Sequence, residues 1–73
     1  MTISLTNEEK IDIVNQHIRN LQLNKYNLSL SVLEESASAV PNQSTIDALQ
    51  LQINDLDAKI SVLTSELNTL QAG

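Results

Sequence analysis

Cysteine, tryptophan and phenylalanine are absent from this chain, and glycine, proline, tyrosine and histidine occur once each. Without cysteine there is no disulfide and no thiolate metal site. A lone His17 excludes an imidazole-rich metal site within one chain, and no cofactor is expected. With Tyr26 as the only ring of its kind, the interior must be filled by interlocking Leu, Ile and Val, which helical bundles allow. Basic charge is scarce, with four Lys and Arg against nine Asp and Glu, for a net charge of −5. Lys10, Arg19, Lys25 and Lys59 are scattered and form no stripe to neutralise phosphates. That argues against nucleic acid and against anionic membranes as partners. Long hydrophobic runs are missing too. No apolar run exceeds two residues, too short for a transmembrane span. Met1 to Glu9 lack the basic start and apolar run of a signal peptide, so the expected location is cytoplasmic.

What the chain does hold is a heptad. Ile46, Leu49, Ile53, Leu56, Ile60, Leu63, Leu67 and Leu70 alternate at spacings of three and four. Isoleucine stands at the first three a positions, leucine at every d position, and no polar residue interrupts the seam. On a helix this is a narrow apolar stripe that another helix must cover. With 73 residues the chain makes one domain, residues 1–73, and a chain that short usually needs a staple. With disulfide and metal excluded, oligomerisation remains.

Upstream, Thr6 and Glu9 have the spacing of a capping box, and Glu8 with Glu9 brings negative charge to the positive end of the helix dipole. The first helix is predicted from about 7 to about 38, a turn from about 39 to about 44, and a second helix from about 45 to about 71. Pro41 enforces the break, and Asn42 or Ser44 can cap the restart. A connection of about three to six residues favours antiparallel neighbours. The expected fold class is all-α: an antiparallel helical hairpin assembling into an oligomeric coiled-coil-like bundle.

The first helix carries two apolar stripes on nearly opposite faces. One is Ile11, Val14, Ile18, Leu21, Leu28 and Val32, with Lys25 filling a heptad slot; the other is Leu23, Tyr26, Leu30, Leu33, Ala37 and Val40. A turn centred near Pro41 and Asn42 sets the second stripe against the seam. Ala37 then lies by Ile46, Leu33 by Leu49, Leu30 by Ile53, Tyr26 by Leu56 and Leu23 by Ile60. These ten residues are the expected intrachain core. Beyond them the match fails, because Leu63 would face Asn20 and Leu67 would face Gln16. Leu63, Leu67 and Leu70, with Ile11, Val14, Ile18, Leu21, Leu28 and Val32, are therefore the expected oligomer interface. Nine such side chains left in water would each forgo roughly 1.5–3 kcal/mol, against a total stability of roughly 5–15 kcal/mol. A homodimer is favoured and a trimer is second, since the stem of Lys25 reaches solvent more easily in a dimer.

No constellation here carries chemistry. His17 has no second imidazole or thiol to work with and reads as a flank residue. Glu34 and Glu35 diverge by about 100° on a helix, as adjacent residues must, and read as a solvated helix end. Asp55 and Lys59 form an i, i+4 pair in the favourable order. No glycine-rich loop or nucleophile motif is present, and an enzyme is not expected. The expected function is a non-enzymatic oligomerisation or protein-interaction module. A regulator that binds a helix of a host protein is the alternative.

Glu9-Lys10-Ile11, His17-Ile18, Leu21, Lys25-Tyr26-Asn27-Leu28, Pro41 and the Ile/Leu heptads together resemble small helical proteins of tailed phages that infect marine cyanobacteria. The resemblance spans nearly the whole chain. It implies a phage accessory or structural protein made in the host cytoplasm, and it carries no activity or site residue with it.

Overall fold

The computed structural model describes residues 4–73 as two helices and no strand. Helix α1 runs Asn7–Ser36 and helix α2 runs Gln43–Ala72, and the two pack against each other as a hairpin. The expected bounds hold to within two residues.

Both N-termini are built as their residues dictate. The Glu9 N–H donates to Thr6 Oγ1 at 3.1 Å, and the Thr6 N–H donates to Glu9 Oε1 at 3.0 Å, which completes the capping box. Helix α2 is capped by Asn42, whose Oδ1 accepts from the Thr45 N–H at 3.2 Å. Ser44, the other candidate cap, lies inside α2, and Asp47 accepts from the Gln43 amide at 2.8 Å. Residues 37–42 connect the helices. The Ala37 and Ser38 N–H groups close the end of α1 on Leu33 and Glu35 carbonyls, and Pro41 keeps the chain from continuing as helix.

The molecule measures 58 × 19 × 19 Å, with a radius of gyration of 16.9 Å. A compact domain of this length would have about 11 Å. The hairpin is a rod two helices thick, so each helix has only one neighbour to bury against. Among the described residues only Ile53 is buried, at 7% exposure.

The register differs from the one expected. On α1 the residues that lose exposure are Ile11, Val14, Ile18, Leu21, Lys25, Leu28, Val32 and Glu35, together with Ser29 and Ser31. On α2 they are the eight seam residues. Lys25 Nζ lies 2.6 Å from Asp57 Oδ1, which ties the two faces at mid-length. Counting heptads outward from that pair sets Val32 near Leu49, Leu28 near Ile53, Leu21 near Ile60, Ile18 near Leu63, Val14 near Leu67 and Ile11 near Leu70. The seam faces α1 along its whole length, with Ile53 buried and the other seven positions half-buried.

Candidate interaction surface

The expected intrachain core is half corrected. On α2, Ile53 is buried and Ile46, Leu49, Leu56 and Ile60 are half-buried, as expected. On α1, Leu23, Tyr26, Leu30, Leu33 and Ala37 are exposed and face away from α2. Their place is taken by the stripe assigned to the oligomer. Ile11, Val14, Ile18, Leu21, Leu28 and Val32 are half-buried against α2, and so are Leu63, Leu67 and Leu70 against α1.

The reason is coverage. The Leu23–Val40 stripe spans only the second half of α1 and would leave the last three seam leucines against polar residues. The Ile11–Glu35 stripe matches all eight seam positions. Full burial of a leucine is worth roughly 1.5–3 kcal/mol, and Leu63, Leu67 and Leu70, being half-buried, each gain about half of that. The obstacle was Lys25, a charge in a core slot. It stays 40% exposed at the side chain and meets Asp57, itself 49% exposed, so its ammonium keeps its water while its stem packs.

Glu35 has a part that spacing alone did not reveal. Its Oε1 accepts the Asn42 N–H at 2.9 Å. Asn42 is the N-cap of α2, so Glu35 does from the neighbouring helix what Glu9 does for Thr6 within its own. The carboxylate sits at the seam's end and fastens the turn. A signal was available: Glu35 continues the Ile11–Val32 heptad, a position that faces α2.

The face left over is the outer side of α1. Leu23 is 47% exposed, Tyr26 63%, Leu30 37% and Leu33 64%. They occupy heptad positions b and f, nearly opposite the packed face. Further toward the N-terminus the same positions hold Arg19, Gln16 and Asp12, so the apolar segment is confined to about three turns. Side chains of this size present together on the order of a few hundred Å² of apolar surface, the scale that marks interaction sites. The outer face of α2 is different. Leu51 and Val62 are exposed there but are separated by Asp55 and Ala58.

Between the helices runs an open groove with Leu28 and Leu56 at its floor and Asn24, Asn27, Ser31 and Gln52 at its rim. Lys59 and Asp55, also on its rim, are paired with each other at 3.0 Å. Nothing in the groove converges on a point where a reacting atom could be held. His17 is exposed. Among the described residues no group of three or more His, Cys, Asp or Glu side chains is placed to hold a metal ion, and no helix is long and apolar enough to cross a membrane. Comparison of the chain with family models, curated proteins and solved structures finds no match.

Proposed function

We propose that the chain is a non-enzymatic interaction module that docks another helix on the outer face of α1. The observation that carries this is the contiguous stripe Leu23, Tyr26, Leu30 and Leu33, exposed on the side of α1 that α2 does not reach. A solvated helix face has no need of four large apolar side chains in heptad phase, whereas helix-in-groove and coiled-coil contacts are built from such anchors. In this reading the hairpin seam makes the fold, and the outer stripe makes the contact. The resemblance to phage proteins supports the role of a small accessory or structural protein made in the host cytoplasm.

The experiment is a pair of charge substitutions read by sedimentation velocity and by thermal unfolding. Leu33→Glu sits on the outer stripe, and Val62→Glu sits at a comparably exposed site on α2, 68% against 64%. In an isolated hairpin both changes lie at the surface and stay within about 0.5 kcal/mol. If the stripe is an interface, Leu33→Glu lowers assembled mass and melting temperature while Val62→Glu leaves both as they were. Equal behaviour of the two variants refutes the assignment.

A further inference from the structure

We infer that the occupant of the outer stripe is the same stripe of a second copy, packed antiparallel across a two-fold axis at the level of Leu28. This rests on the reading of the α1 outer face as an interaction surface and says what covers it. An isologous contact needs a patch that matches itself when reversed. The stripe does so: its spacing of three, four, three reads the same from either end. Reversal sets Leu23 beside Leu33 of the second copy and Tyr26 beside Leu30 of the second copy.

Charge selects the antiparallel sense. Arg19 is exposed, continues the stripe one turn below Leu23, and has no ion-pair partner among the described residues. Reversal brings it to the C-terminal end of α1 of the second copy, at the level of Ala37. The last turn of α1 has no basic residue of its own, and a cation there interacts favourably with the negative end of the helix dipole. A parallel pairing would instead set Arg19 against Arg19 and Asp12 against Asp12. Between Arg19 and Ala37 the contact runs about 27 Å, at about 1.5 Å per residue. Buried in two copies with its flanks, such a face removes on the order of 1,000 Å² in total, about the floor for a biological interface and the scale of a concentration-dependent dimer.

An axis perpendicular to both helices keeps each flank against the same flank of its partner, so Asn20 approaches Glu34 of the second copy and Asn27 approaches its own copy. The chain has no cysteine, and single thiols at these exposed positions report the arrangement cleanly. With a short bis-maleimide, Asn27→Cys should yield covalent dimer by itself. Asn20→Cys and Glu34→Cys should yield it only when mixed, and Arg19→Gln should weaken association several-fold. If the mixture cross-links no better than the single variants, or Arg19→Gln strengthens association, while the wild type still sediments as a dimer, the antiparallel arrangement is overturned and the interaction surface stands. A wild type that is monomeric at every concentration overturns the second copy as occupant. The surface reading is then judged with a synthetic amphipathic Leu/Lys helical peptide: binding by the wild type and Val62→Glu but not by Leu33→Glu keeps it, and equal binding or none by all three removes it.

Discussion

At the scale of single residues, two carboxylates hold the ends of the helices. Glu9 is held below its ordinary value near 4.5, first by the hydrogen bond from the Thr6 backbone N–H and then by the Thr6 side chain. Both bonds favour the charged form. A carboxylate whose folded pKa lies below its unfolded one stabilises the fold fully above the unfolded value, and the contribution fades as pH falls through the folded value. The loss therefore lies on the acid side of 4.5. Glu9→Ala should melt lower than the wild type at neutral pH and converge on it as acid protonates Glu9. Parallel curves from pH 7 to pH 3 would show that the charge of the capping box does not matter. Glu35 holds the other end by bonding the Asn42 N–H, which makes the connection a structured turn rather than a slack linker.

At the scale of helices, the outcome turns on Lys25. Its slot interrupts an otherwise apolar heptad, and the next-best use of α1 is the half-length stripe that contains Tyr26. The caps, the break at Pro41, both helices and five of the eight α2 core residues, Ile46 to Ile60, were legible, because periodicity and capping chemistry are local; Leu63, Leu67 and Leu70, assigned to the oligomer, pack within the hairpin instead. The pairing of faces was not legible. It depends on which α1 stripe covers all eight seam positions and on where the connection lies, residues 37–42 rather than a turn centred on Pro41 and Asn42. Half of the candidate surface was likewise hidden. The leucines of the outer stripe were plain in the sequence, but their role was exchanged with that of the inner one. The exchange has a consequence. Partly exposed ion pairs contribute little, and an aliphatic side chain in a covered slot contributes more than a lysine stem. Lys25→Ile should raise the hairpin's stability by on the order of 1 kcal/mol and leave Asp57 solvated at no cost. Chemical denaturation would read this as a higher midpoint with an unchanged slope. A destabilised variant would mean that Lys25 and Asp57 carry the register themselves.

At the scale of the whole molecule, the rod has little interior. Fifteen other positions of the two matched faces keep part of their exposure, and only Ile53 is buried. Chains below roughly 70–80 residues seldom draw more than about 3–5 kcal/mol from a single core, and that figure assumes a core with fully buried layers. No disulfide supplements it. Whatever stability a second copy adds then enters by mass action and grows with concentration. A tenfold rise in protein adds up to about 1.4 kcal/mol to the assembled state, and for a chain of this length that moves the melting temperature by several degrees. Circular dichroism melts at 5 and 50 times a starting concentration near the association midpoint should therefore climb in step. A fixed melting temperature over that range would mean that the half-covered seam suffices, and that α1 keeps its outer leucines in water at no disadvantage to the fold.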